Sequence, residues 1–213
     1  MNARVAIAAL LTTALTACGS PKEAAAPQNT EWVVQSHVAF LEADAKTVRS
    51  LPNEPLRLWM PFVVGDIYGS PNAGELVPVT LKPDMSFSVN LNDAIAGLEK
   101  SLVPTEFSQH WMAIEPSNAR IARLSPFVMP EDGIAPVGMT EWLDEATGTK
   151  LMLIYVDRPS HVRGEIVYEG RNLRFDIEAK QAGFLWIRQP EGSGTYQAAP
   201  RPAKVVLAVM PNS

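Results

Sequence analysis

Three histidines, His37, His110 and His161, and the methionine two positions beyond the second are the side chains best suited to hold a metal. In Gln109-His110-Trp111-Met112 the imidazole and the thioether are two residues apart, so on a strand they share a face. Imidazole with thioether is a soft donor set that suits copper. If the fold brought His37 and His161 beside His110, three imidazoles and Met112 could hold a copper ion, and an open position could support redox chemistry. Against this stands packing: Trp111 and Met112 lie in an apolar run, which favours a core or rim position.

Other chemistry leaves fewer traces. The chain has no Gly-x-Ser-x-Gly elbow, no Ser-x-x-Lys and no His-Glu-x-x-His, and no phosphate-cradling glycine loop or calcium loop. A Ser-His-Asp triad is set by space rather than spacing, and nothing marks one. Glycan hydrolysis needs two facing carboxylates. The acidic residues Glu131, Asp132, Glu141, Asp144 and Glu145 instead read as a solvated turn and strand end. The tryptophans Trp32, Trp59, Trp111, Trp142 and Trp186 could stack on sugars if exposed, but their size makes them core residues first. His, Met and a neighbouring Trp are also the ingredients of periplasmic copper-binding proteins. That resemblance implies copper as cofactor and a reaction such as superoxide removal, although the His-x-His pair of copper–zinc dismutases is missing.

Cys18 is the only cysteine in the 213 residues. It follows Arg4, the apolar run Val5–Leu15 and two small residues, an order that makes residues 1–17 a signal segment too short to cross a bilayer as a helix. Leu15-Thr16-Ala17-Cys18 resembles the lipobox of bacterial lipoproteins. The resemblance implies cleavage before Cys18, a diacylglyceryl group on its sulfur and an acylated new N-terminus. Several acyl chains on one residue anchor a protein durably where a single chain does not. Gly19, in place of Asp, implies the outer membrane by the same resemblance. Residues 18–30, small, polar and proline-punctuated, read as a flexible tether.

Loss of residues 1–17 would remove one basic side chain and leave a chain near −6. That charge argues against nucleic acid and against charge-driven binding to anionic lipid. A lipidated Cys18 leaves no thiol for a disulfide or a nucleophile, so stability must come from burial. Eighteen prolines and thirteen glycines leave little room for long helices and favour strands joined by turns.

The elements follow from that punctuation. Residues 31–44 read as a strand, and 56–64 as an edge or interrupted strand because of Pro61. Residues 66–75 read as a loop. Alternating Val77, Val79 and Leu81 face Phe87, Val89 and Leu91 across Lys82-Pro83-Asp84-Met85, which predicts a hairpin. This stretch resembles the hairpin of carboxypeptidase-regulatory-like and transthyretin-like modules, with Met85 at the usual glycine; the resemblance implies a small β-sandwich used as a spacer or binding platform. Residues 93–104 predict a short helix, capped by Asp93, striped by Ile95, Leu98 and Leu102, and stopped by Pro104. Beyond it, strands at 119–129, 137–144, 150–156, 160–168, 173–179, 183–189 and 204–210 predict a meander, with 190–202 as a polar loop. Asp157-Arg158-Pro159 reads as an edge-protecting stop after a very apolar strand. The order of "YVDRP", "VRG", "FDI" and "GFLWI" resembles the C-terminal part of uncharacterised envelope lipoproteins.

The sequence therefore predicts a mainly β protein, an antiparallel sandwich or sandwich-like modules with one short helix. A β-sandwich-like domain is expected over 31–103 and an antiparallel β domain over 104–213. The expected role is a lipid-anchored binding or structural component of the cell surface or an envelope protein complex, without a cofactor. The alternative is a copper redox protein using His37, His110, His161 and Met112.

Overall fold

The computed structural model describes residues 32–42, 47–64, 72–77, 79–102, 112–168, 171–190 and 193–211. The signal segment 1–17, Cys18, the tether 18–30, His110, Trp111 and Pro104 lie outside the described residues. The described residues are mainly β with one helix. In order come β1 (Val33–Phe40), β2 (Leu56–Val64), β3 (Asn72–Val77), β4 (Ser86–Asn90), α1 (Asn92–Ser101), β5 (Met112–Glu115), β6 (Ile121–Leu124) and β7 (Phe127–Pro130). There follow β8 (Met139–Asp144), β9 (Lys150–Val156), β10 (Ser160–Tyr168), β11 (Arg171–Ala179), β12 (Gly183–Arg188), β13 (Thr195–Ala199) and β14 (Val205–Met210).

Neighbouring strands run β4-β1-β14-β8-β9-β12-β13-β11-β10-β5, and β6, β7, β2 and β3 branch from β9. The antiparallel expectation needs correction, because β1 pairs with β14 and β11 with β13 in parallel. A hairpin can make only antiparallel neighbours; strands brought together by long connections are free to run either way. β1 and β14, near opposite ends of the described chain, have such a connection. It also joins the two spans expected as separate units. β1 of the first lies against β14 of the second, and β2 against β6 and β7.

Burial explains the most apolar stretch of the sequence. β9 pairs with β12 along one edge and is covered on both faces. Leu153 and Tyr155 join a cluster with Phe40, Phe62, Phe184 and Trp186. The alternate residues Ile154 and Val156 join a second cluster with Val162, Phe175 and Ile177. A strand with two buried faces needs no polar alternation, so 151–156 carries only apolar and aromatic residues. α1 closes the first cluster through Ala94 and Leu98, joined by Leu102 just after the helix.

Several local expectations change. The hairpin across Lys82–Met85 does not form a strand pair: β3 pairs with β2 and β4 with β1. A tight turn remains, with Met85 N–H donating to the Lys82 carbonyl at 2.9 Å and Met85 at φ 63°, the left-handed region glycine adopts freely. Asp93 is not the helix cap. Asn90 Oδ1 accepts from Asn92 N–H at 3.1 Å, while Asp93 lies in the first turn and accepts from Asn90 Nδ2 at 3.2 Å. β2 is no edge strand, since β3 and β6–β7 flank it; Pro61 is absorbed where the β3 register shifts. Part of the expected loop at 66–75 belongs to β3, and part of that at 190–202 is β13.

Candidate functional site

A cleft opens where β9 changes partners. On the edge away from β12, Leu151 and Lys150 pair with Trp142 and Leu143 of β8. Farther along, Ile154–Val156 pair with β6 instead. β6 and β7 lie end to end along β2, broken at Ser125-Pro126, and Ser125 N–H still donates to the Pro61 carbonyl at 2.9 Å. They therefore follow β2 while β8 follows β14. The divergence leaves a cleft of about 810 Å³.

Its walls are Arg123–Phe127, spanning the end of β6 and the start of β7, and Gly138–Trp142, leading into β8, with Lys150–Met152 of β9 also in the lining. Leu173, Gln189 and Tyr196 close one end. The rim is tied by Val137 N–H to the Val128 carbonyl at 2.9 Å and by Thr140 Oγ1 to the Pro126 carbonyl. Gly138 sets the β8 wall: a Cβ there would collide with the Met210 carbonyl at the end of β14. Only a residue without a side chain lets β8 enter that close to β14.

Charge in the cleft is sparse and paired. Lys150 Nζ donates to Glu141 Oε1 at 2.6 Å, and Arg123 Nε donates to Ser125 Oγ at 3.1 Å. Glu141 Oε2 and Trp142 Nε1 are buried without hydrogen-bond partners. Glu141 is the only carboxylate among the described residues lining the cleft, so paired-carboxylate hydrolysis has no machinery here. An apolar lining with a few polar groups is the usual composition of a binding cleft.

The expected copper ligands are not brought together among the described residues. His37 is exposed on β1, and His161 is on β10, toward the other end of the strand order. Met112 stands in register opposite Gly164, and His161 opposite Glu115. His161 is held between two side chains: Nε2 lies 2.6 Å from Asp176 Oδ1, and Arg163 Nε lies 3.0 Å from Nδ1 and 3.1 Å from Nε2. No group of three or more His, Cys, Asp or Glu side chains capable of holding a metal occurs among the described residues. His110 lies outside them.

Several of the other singled-out residues have structural partners. Asp144 Oδ1 accepts from Ala146 N–H at 2.9 Å and shapes the β8–β9 turn, and Glu145 lies 3.8 Å from Lys204. Asp157 pairs with Arg158 at 2.8 Å and also accepts from Arg120 N–H at 2.8 Å, fastening the entry to β6. Trp142 and Trp186 are core residues, whereas Trp59 is partly exposed and packs on Phe127 with centroids 5.7 Å apart. Sequence reading missed the cleft itself. Its local signals were Pro126 interrupting an apolar run and Gly138 at the start of a strand.

No protein-family model, curated protein or solved structure matches this chain. Among the described residues no helix is long and apolar enough to cross a membrane.

Proposed function

We propose that this is a lipid-anchored component of the bacterial cell envelope, held at the outer membrane through Cys18, whose β domain works by binding. The observation that carries the reading is Leu15-Thr16-Ala17-Cys18: the chain's single cysteine closes an apolar signal-like run and opens a polar tether. The described strands begin at Val33, after the span 18–30 whose small, polar, proline-punctuated composition reads as a tether. Binding is favoured over catalysis by the cleft, where the one carboxylate is neutralised by Lys150 and most of the wall is apolar. We read the architecture as sandwich-like. β1, β4, β8 and β14 send side chains into the same cluster as β2, β6, β9 and β12, as two facing layers do.

The test is metabolic labelling with a palmitate analogue and membrane fractionation of the wild-type and Cys18→Ser chains. The wild type takes up label and pellets with membranes. Cys18→Ser takes up none and leaves the membrane fraction or stays unprocessed. Label in the serine variant, or identical processing and pelleting, contradicts the reading.

A further inference from the structure

We infer that a second pocket, beside the start of β1, holds the phosphate of a phospholipid headgroup and so gives the domain its own contact with the bilayer. This rests on the lipid-anchor reading, and it names the surface that faces the membrane. β1 pairs with β14 only over Val38–Phe40. Toward the start of β1 the two part, and Arg201–Lys204, which lead into β14, stand across a gap from Val33–Gln35. The gap is a pocket of about 320 Å³. Val34, Trp186 and Val205 of the main core cluster form its inner lining. Among the described residues that line it, the charged side chains are Arg201 and Lys204, and there is no carboxylate. Gln35 adds an exposed amide.

This chemistry suits an oxyanion. Two neutral groups place the Arg201 guanidinium: the Val33 carbonyl accepts from Nη2, and Cζ lies 5.2 Å from the centroid of the Trp32 ring. Neither contact cancels its charge. A guanidinium carries five N–H donors in one plane, a geometry that matches phosphate oxygens. Lys204 Nζ lies 3.8 Å from Glu145 Oε2, with the two side chains 80% and 42% exposed. A pair so open to water holds weakly, so Lys204 can turn to a phosphate. The source of that phosphate follows from position. Trp32 and Val33, where the span from Cys18 ends, stand at this pocket. A flexible span of that length reaches about 20 Å on average, which keeps the pocket within range of the bilayer surface and raises the effective headgroup concentration there. The negative net charge of the chain disfavours an anionic membrane as a whole. The headgroup is therefore zwitterionic, a phosphoethanolamine met locally by two cations.

The probe is glycerophosphoethanolamine, a headgroup without acyl chains, titrated into the full-length Cys18→Ser chain. It is expected to bind and to slow amide exchange at Val33–Gln35 and Ala203–Val205. Lys204→Gln is expected to weaken binding about threefold, and Gln35→Glu, which sets a carboxylate on the pocket, about tenfold. Both positions are exposed, so neither change threatens the fold. Vesicles of phosphatidylethanolamine and phosphatidylcholine are expected to retain the Cys18→Ser chain about threefold better than the same chain carrying Gln35→Glu. No headgroup binding, equal binding by both variants, or protection confined to other strands overturns the inference. Equal retention on vesicles also overturns it. If inorganic phosphate protects these amides while the headgroup does not, the lipid source is wrong and the pocket belongs to a free phosphate. Palmitate labelling reports the anchor alone, so the two readings fail separately.

Discussion

Tyr155 shows how one side chain joins the core to the helix. Its ring is buried against Phe184 with centroids 5.1 Å apart, and its hydroxyl donates to Glu99 Oε1 of α1 at 2.8 Å. Burial first, then the carboxylate beside it, pushes the phenol well above its ordinary range. Because the folded state prefers the protonated phenol, this contribution is whole below about pH 10, the unfolded value. It is lost as pH climbs through the raised folded value. Tyr155→Phe is expected to cost about 0.5–1.5 kcal/mol in urea unfolding at neutral pH and to flatten the alkaline loss of stability. An unchanged alkaline limb would show that Tyr155 does not carry it. Gly138 is constrained by space instead of charge. Gly138→Ala places a methyl against the Met210 carbonyl and is expected to destabilise by about 1–3 kcal/mol. A variant with wild-type midpoint would mean that β8 does not enter as close to β14 as described.

At the scale of elements, β9 is the strand on which both clusters depend. Leu153 and Ile154 are fully buried on opposite faces. Each truncation to alanine is therefore expected to cost about 2–5 kcal/mol. A surface strand would instead show one costly and one tolerant position, and that asymmetry in denaturation midpoints would refute burial on both faces. The apolar run 151–156 made this strand legible in sequence, as alternation did β1 and β4. Partners were not legible. Val77 and Phe87 look like two sides of one hairpin because their spacing is local, yet each strand finds a better-buried neighbour elsewhere, β2 for one and β1 for the other. Alternation fixes which face of a strand is buried; it does not fix against what. β13 was hidden for a related reason. Thr195–Ala199 is half-buried, short and flanked by Gly194 and Pro200, so it does not stand out from the turn-rich sequence around it. The cleft was illegible because it is a failure of two strands to stay paired, a property of the assembled sheet and not of any motif.

At the scale of the whole molecule, the ends of the described chain lie side by side and share a core. Val34 and Val38 of β1 pack in the same cluster as Val205, Leu207 and Val209 of β14 and the helix residue Leu98. The spans 31–103 and 104–213 should therefore unfold together. Urea curves followed by tryptophan fluorescence and by far-UV circular dichroism are expected to coincide; two separated transitions would mean two units. The functional reading proposed above depends on the residues before Trp32, where the lipobox-like string ends at Cys18. The most direct measurement is intact and N-terminal peptide mass spectrometry of the protein extracted from bacterial membranes. The expected result is a chain that begins at Cys18, carrying a diacylglyceryl group on sulfur and an acyl group on nitrogen. A chain cut elsewhere, or one with Cys18 present as a free thiol, would contradict the anchor and the envelope role built on it.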